Sequence, residues 1–550
     1  MNIGKFYDRL LKNKRKKVFL MFVGLMFISG FNVLVAYLYM HIIDELGKAT
    51  LLRIATLLFL YICMNVVSGL LEYVVKVSNQ KLTNFLELKV QKEIFEALLK
   101  QDGNFYSKNV SGELMVYLIS DATSVAGFIS NTFFPLLVDL FKGVGILCFL
   151  LYLRWKLLLI LLVAQPVVWF IQKRMQRLIQ NLSEKNRRIF SGFVDITREY
   201  CENLLNIIMI SAEKFVGYQY EKKLEMQKSS VLKTTQVDYL NRFVLGILYL
   251  LPLCGILMAG SYEMRYAELT LGGLLLFIQY AGMVIRPIES IYDMFYEIAE
   301  LNPSLERICE LLSGNGNVND RVDVGEILSL GVKEASFTYP NGGIVFRNIS
   351  FCFYKGNSYA ITGESGVGKS TLCKVLLGLW KLNEGDIVLN GQSLSPDTCL
   401  KEYITYITQN DFILNDTIYN NIVLGNEEVG FQRFQKAIEI SELDSLISSL
   451  DQKEQTMMGD CGNLFSGGEK QRVGIARAII RDNPIVVFDE PTAGLDRVTG
   501  KKILNKLMAY FSDKLLIFIT HDEMVYSKCD YICCLYPDQV SVYRNGDENL

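Results

Sequence analysis

The sequence predicts two domains of unlike class in one chain: an α-helical part that crosses a membrane six times, then an α/β part built around a P-loop. Three observations carry this. Six apolar runs lie between residues 18 and 285, most of them near the ~20 residues a bilayer core requires. Residues 363–371 read Gly-Glu-Ser-Gly-Val-Gly-Lys-Ser-Thr, which fits G-x-x-x-x-G-K-[ST]. Residues 485–490 read Ile-Val-Val-Phe-Asp-Glu, an apolar strand ending in two acids. The expected domains are a transmembrane domain over 1–310, a polar Gly/Asn-rich linker over 311–330, and the α/β domain over 331–550.

Composition agrees and excludes other classes. The 550 residues are 51% hydrophobic, with mean hydropathy +0.24, and the apolar excess sits in the first half. A net charge of −2 gives no argument for a nucleic-acid partner. The 12 Cys show neither zinc spacing nor a compact disulfide framework, so reduced thiols in a cytosolic domain are expected for those of the second half. Only two His occur, which excludes a multi-His metal site.

In chain order, residues 2–17 are basic, and Ile3, Phe6, Leu10 and Leu11 share a helical face, as an interfacial helix leading into the membrane would. The run 18–43 is too long for the apolar core of a signal peptide, and no small-x-small site follows, so it reads as a retained span. The other spans are 54–75, 128–153, 157–171, 243–260 and 269–285. The connections 76–127 and 172–242 are long, polar and helix-prone. Lys173, Arg174, Arg177, Lys185, Arg187 and Arg188 put them inside with the N-terminus. Each is expected to turn at a tip, near 109–114, where Gly112 breaks the pattern, and near 203–215. The two tips are candidates for docking on the α/β domain. Within the spans, Asp139 and Lys142 stand three apart on one helix and are expected to pair. Gln165, Gln279 and Arg286 are further polar candidates, Pro166, Pro252 and Pro287 mark expected kinks, and His41 is expected in solvent at the outer end of the first span.

The P-loop residues each have a chemical reason. Gly363, Gly366 and Gly368 let the backbone turn tightly and aim several N–H groups at one anion, and Ser365 and Thr371 belong to the same phosphate-binding set. Lys369 reaches the β- and γ-phosphates, and Ser370 offers a hydroxyl to Mg²⁺. A strand over 358–362 and a helix over 372–379 put a helix N-terminus at the phosphates. Asp489 suits a Mg²⁺-holding role, and Glu490 is placed to polarise an attacking water.

With these motifs the sequence resembles the ATP-binding-cassette transporters. Residues 465–472, Phe-Ser-Gly-Gly-Glu-Lys-Gln-Arg, are similar to the family signature L-S-G-G-Q, so the resemblance makes Ser466, Gly467, Gly468 and Glu469 ATP-binding residues. Gln409 in Tyr-Ile-Thr-Gln matches the Q-loop glutamine, which implies a Mg²⁺ ligand and γ-phosphate sensor. Asp496 in Ala-Gly-Leu-Asp matches the D-loop, His521 in Thr-His-Asp the switch histidine, and Tyr339 in Ser-Phe-Thr-Tyr-Pro the aromatic that stacks on adenine. The order is the family's. Asp416–Ile422 (Asp-Thr-Ile-Tyr-Asn-Asn-Ile) and the stretch from Thr270-Leu-Gly-Gly to Arg286-Pro-Ile resemble the exporter branch. Departures are Glu469 for Gln, Ala493-Gly494 where Ser-Ala is common, and Gly-Asp-Cys-Gly over 459–462 where exporters often carry a Glu. No long final helix is expected after Arg544, and no leader-cleaving peptidase region is expected before the first span.

The resemblance implies a type IV exporter fold and ATP-driven transport by alternating access, catalysed by Glu490 with His521 and Gln409, using ATP and Mg²⁺. Because one chain carries one P-loop and one signature, it implies a second copy, with a C₂ homodimer ahead of a heterodimer. A multi-pass protein of a bacterial cell membrane, with N-terminus and ATPase domain cytoplasmic, is expected. A peptide or amphipathic small molecule is the expected cargo. A siderophore-type importer, a lipid flippase and an ATP-gated channel or regulator are the alternatives.

Overall fold

The structure, a computed structural model, describes residues 7–546 except 8, 13, 47, 110–113, 267–268, 314–324, 340–341, 397, 410 and 427–428. Most of the expected linker and most of the first expected tip, Gly112 included, therefore lie outside the described residues. The chain divides into two compact units, one made of Met1–Lys92 and Ile119–Cys309, the other of Glu93–Leu118 and Glu310–Leu550.

Long helices dominate the first unit because in lipid a single apolar segment satisfies its own backbone only as a helix, the alternative being a closed barrel of many strands. They are α1 (Arg15–Glu45) and α2 (Leu51–Leu98), whose last residues join the second unit with the short α3 (Gly103–Lys108). Then come α4 (Ala122–Phe128), flanked by wider π-type turns at Val116–Asp121 and Ile129–Phe133, and α5 (Phe134–Glu202). A transverse α6 (Leu204–Met209), α7 (Glu213–Arg265) and α8 (Leu271–Ser313) follow. Among the described residues four helical stretches are long and apolar enough to cross a membrane, and Leu271–Val284 is a shorter apolar one. The third and fourth expected spans both lie in α5, which breaks at a single residue, Arg154 (φ −158°, ψ 98°). Pro166, Pro252 and Pro287 all lie inside helices, and α5 breaks at Arg154, where the third and fourth expected spans left a short gap; the Arg154 guanidinium lies 3.7 Å from Glu263.

Packing in this unit follows membrane rules. Phe19, Leu20, Phe59 and Tyr73 face outward, while Ala36, Ile146, Leu150, Leu276 and Phe277 are buried together. Small residues let helix backbones close up. A Cβ on Gly143 would lie 2.3 Å from Pro287 Cγ and 2.9 Å from the Met283 carbonyl, so α5 and α8 touch there with no room for a side chain. Asp139 and Lys142 do not pair with each other. Lys142 Nζ donates to Glu72 on α2 at 3.1 Å, and Asp139 accepts the Ser290 hydroxyl of α8 at 2.6 Å. Interhelical partners win because each satisfies a charge that would otherwise face hydrocarbon. His41 stacks on Tyr37 one turn away, with ring planes 6° apart.

The second unit has two sheets. β1 (Ser329–Thr338), β2 (Ile344–Tyr354), β4 (Glu384–Leu389) and β5 (Gln392–Ser393) form an antiparallel sheet in the order β2-β1-β4-β5. The other runs β10-β9-β3-β8-β7-β6 and is parallel except for β10 (Val540–Arg544). Its strands are β3 (Ser358–Thr362), β6 (Ile404–Ile407), β7 (Ile485–Asp489), β8 (Leu515–Ile519) and β9 (Tyr531–Leu535), mostly buried and therefore mostly apolar. One core packs Phe337, Phe346 and Phe353 against Leu372 and Leu376 of α9 (Lys369–Leu376). A second packs Phe488 and Phe518 against Ile475 and Ile479 of a helix over Gly467–Arg481, here α10. Parallel α/β sheets bind ligands at the carboxyl ends of their strands, which is where β3 and β7 deliver the P-loop and the two acids.

Candidate active site

The loop from β3 to α9 is shaped by its glycines. Gly363, Gly366 and Gly368 have φ of 148°, 84° and 104°, values that L side chains rarely adopt. A Cβ on Gly363 would meet the Leu535 carbonyl at 2.6 Å, and one on Gly368 would meet Val345 at 2.1 Å, whereas Gly366 opens on free space with Ser365 exposed beside it. Lys369 is 8% exposed, and its ammonium donates to the carbonyls of Gly363 and Glu364, both at 2.9 Å, so it lies curled across the loop's own hollow. Burial lowers its pKa from the ordinary lysine value, opposed by the Glu490 and Asp489 carboxylates.

The P-loop and the strand-end acids meet. Ser370 Oγ donates to Asp489 Oδ2 at 2.8 Å, and Gln409 Nε2 donates to Glu490 Oε2 at 2.7 Å. Glu490 stands in the left-handed region at φ 50°, costly for a non-glycine residue. Its amide bonds the Ile519 carbonyl at 2.8 Å and its carbonyl accepts from Gln471 at 2.6 Å, and together these bonds hold it there. Tyr339 follows β1. Its hydroxyl shares a hydrogen bond with Thr371 at 2.7 Å, and its ring meets Trp380 edge-on at 5.2 Å and Phe337 at 5.1 Å. His521 follows β8 with an exposed side chain, next to Asp522, which accepts the Thr492 hydroxyl at 3.0 Å.

The signature makes no hydrogen bond to the P-loop among the described residues. Ser466 caps α10, and Glu469 completes a capping box by accepting the Ser466 amide at 2.7 Å. Gln would complete the same box, so the capping role fits the position but nothing in the structure explains the change from Gln to Glu. The departure at 494 has a local reason: Gly494 sits at φ 84°, and its carbonyl would be 2.6 Å from a Cβ on Gly468. The Asp496 carboxylate caps the helix Arg497–Tyr510, accepting from the Val498 and Thr499 amides at 3.1 and 3.0 Å.

Two contributors carried no motif. Tyr406 of β6 donates its hydroxyl to Asp489 Oδ2 at 2.6 Å, the oxygen that Ser370 also reaches, and burial raises the phenol's pKa. Its distance in sequence from Gln409 is the only signal that could have found it. Trp380 closes the other side of the Tyr339 ring. The Gly103 amide of α3 donates to the Leu379 carbonyl at 2.7 Å, and Trp380 leaves no room for a Cβ on Gly103. This segment thus has a contact at 103, while most of the expected tip over 109–114 lies outside the described residues. A single buried Gly shortly before an aromatic pair gives no periodicity to read.

An α/β P-loop ATPase domain fused to an α-helical membrane domain, with signature, Q-loop and strand-end acids in one chain, is the layout of an ATP-binding-cassette transporter. The chain belongs to that family. The profile described as ABC transporter matches residues 346–493, and the profile described as ABC transporter transmembrane region matches residues 18–288. It is 25% identical over 470 residues to the ATP-dependent lipid A-core flippase of Ralstonia nicotianae, covering 83% of this chain and 79% of that protein. It is 28% identical over 448 residues to the multidrug resistance-like ATP-binding protein MdlA of Buchnera aphidicola, covering 79% and 77%. A solved bacterial Atm1-family ABC exporter with ATP bound has the same fold, with a TM-score of 0.84 at 22% identity over 97% of this chain and 96% of that one. The fold is thus the type IV exporter fold, and the chain is a nucleotide-binding membrane ATPase coupled to transport.

Proposed function

We propose that the chain, as a homodimer, exports a peptide or amphipathic small molecule by alternating access driven by ATP. The observation that carries this is the meeting of Ser370 with Asp489 and of Gln409 with Glu490 at the mouth of a glycine-shaped anion cradle. Tyr339 stacks on adenine, and the loop amides with Lys369 hold the phosphates. Glu490 takes the proton of the attacking water, Gln409 orients that water, and His521 holds the γ-phosphate side. Ser466, Gly467 and Gly468 with Glu469 serve the site of the other copy, which fits the lack of any hydrogen bond between them and the P-loop among the described residues. Asp496 positions that signature face through its cap.

The residues fit Mg²⁺. Ser370, Asp489 and the Gln409 carbonyl are hard oxygen donors, and no group of three or more His, Cys, Asp or Glu converges among the described residues. Such a site leans on phosphate oxygens, as magnesium sites do, and the ion would neutralise phosphate charge when bound. The domain limits 1–310 and 331–550, and the cytoplasmic placing of the N-terminus and ATPase domain, belong to the same proposal. A lipid flippase is the second reading, favoured by the name of the Ralstonia relative. A gate without turnover is disfavoured because it has no use for Glu490.

The composite site is tested by complementation. Lys369→Ala and Gly468→Asp chains should each be inactive alone. Mixed, they should recover hydrolysis, because one site then joins an intact P-loop to an intact signature. Two inactive variants that stay inactive when co-assembled would mean each chain builds its own site. Transport of a labelled amphiphile in vesicles of both orientations separates export from import.

A further inference from the structure

A chamber in the first unit bears on the head group of the cargo, and the inference rests on the amphipathic-cargo reading above. Arg286 of α8 lines two cavities at once. One, of about 570 Å³, is walled by apolar side chains such as Leu161, Pro252 and Ile278. The other, of about 740 Å³, is polar. Counting ~1.5 Å per helical residue from the short-loop ends at Arg154, Arg265 and Leu271, the apolar wall lies about 10–20 Å deep, and Lys142, Asp139 and Arg286 about 18–22 Å deep. All fall within a bilayer core of ~30 Å. Charges at that depth face a cavity or a partner.

The polar chamber has partners for most of its charges. Glu72 bonds Lys76 and Lys142, each at 3.1 Å, and Asp139 holds Ser290. Arg286 makes no hydrogen bond or ion pair among the described residues. Asn79, 9% exposed, gives its amide N–H to the Ser130 carbonyl at 3.3 Å, while its Oδ1 is buried without a partner. The chamber is therefore built for a polar guest. Its charges also balance: the cations Lys76, Lys142 and Arg286 stand against the acids Glu72, Asp139 and Asp293. A head with several negative charges meets three carboxylates, and a purely cationic head meets three cations. A head carrying one of each sign meets both partners, with an apolar cavity adjoining at Arg286 for the tail.

We propose that this chamber takes the zwitterionic head of an amphiphile, its acid group on the Arg286 guanidinium and its ammonium toward Asp139, with the tail in the apolar cavity. The test uses the full-length protein in phosphatidylglycerol nanodiscs and four probes of equal chain length: lysophosphatidylethanolamine, lysophosphatidic acid, a primary alkylamine and a monoacylglycerol. The zwitterionic probe should stimulate ATP hydrolysis at a concentration about ten-fold or more below the others. Arg286→Ala should raise that concentration by about ten-fold or more, the scale of a lost charged hydrogen bond, and Arg286→Lys should restore part of it. Asp139→Asn should erase the preference over lysophosphatidic acid. Unchanged size-exclusion behaviour and ATP affinity check that the variants are folded. Stimulation that ignores head charge, or an Arg286→Ala protein with the wild-type preference, overturns the inference. No stimulation and no photo-crosslinking to the membrane unit by any probe overturns instead the amphiphile reading beneath it.

Discussion

Replacing Gly103 by alanine probes how the segment 93–118 is held to the nucleotide-binding unit. A Cβ there would lie 2.4, 2.5 and 2.8 Å from Trp380 Cε2, Cδ2 and Nε1. Carbon contacts settle near 3.5–4.0 Å, so the ring or the segment must move by about 1 Å. The ring is braced, since Tyr339 and Phe337 meet it edge-on at 5.2 and 5.7 Å. Overpacking of this kind costs about 1–3 kcal/mol. The bond from the Gly103 amide to the Leu379 carbonyl, 2.7 Å in the native chain, adds about 1 kcal/mol if it is lost. Together, about 2–4 kcal/mol weakens docking of the segment by roughly 30- to 1,000-fold. Two readouts follow. Amide exchange at residue 103 should speed up by that order. The KM for ATP should rise several-fold, because displacing Trp380 unseats Tyr339, although residue 103 is remote from the phosphates. A Gly103→Ala protein whose amide remains protected and whose KM is unchanged would refute the chain of contacts from 103 through Trp380 to Tyr339.

Three further outcomes follow from the site. Tyr406→Phe keeps the ring and removes the hydroxyl on Asp489, so the Mg²⁺ concentration for half-maximal hydrolysis should rise about five- to ten-fold, with Mg²⁺-free nucleotide binding unchanged; an unaltered Mg²⁺ titration would remove Tyr406 from the site. Tyr339→Ala should raise the KM for ATP by about ten-fold, the scale of a lost base stack, while Tyr339→Phe loses only the bond to Thr371 and should be mild; equal effects would point away from stacking. Gly494→Ala forces a side chain into φ 84°, a strain of about 1–2 kcal/mol, and should slow hydrolysis several-fold while ATP binding in the isolated chain persists; equal turnover would show the loop relaxes freely.

Much of this was legible in the residues, and the rest has physical reasons for being hidden. Glycine and charge requirements at a phosphate site are strict, so the P-loop and Asp489-Glu490 can be read without coordinates. The apolar runs are equally plain, because lipid leaves a chain few options. What sequence does not carry is which interhelical partner a buried charge finds. Lys142 is nearer in sequence to Asp139, yet it reaches Glu72 across the helix interface. The break in α5 at Arg154, by contrast, falls in the gap between the expected spans 128–153 and 157–171 and was legible. Trp380 and Tyr406 join the site through packing between elements far apart in the chain, and only the nearness of Tyr406 to Gln409 marks either of them.

In the proposed cycle Glu490 is the base whose action resets a dimer closed by ATP. Replacing it with glutamine keeps size and hydrogen bonding and removes the charge. With Mg-ATP, the Glu490→Gln protein should hydrolyse about two orders of magnitude more slowly, retain ATP, and bring distance labels at the 203–215 tips together. Wild-type turnover would contradict the assignment of the base, and retained ATP with the labels still apart would contradict the coupling of nucleotide to the membrane helices.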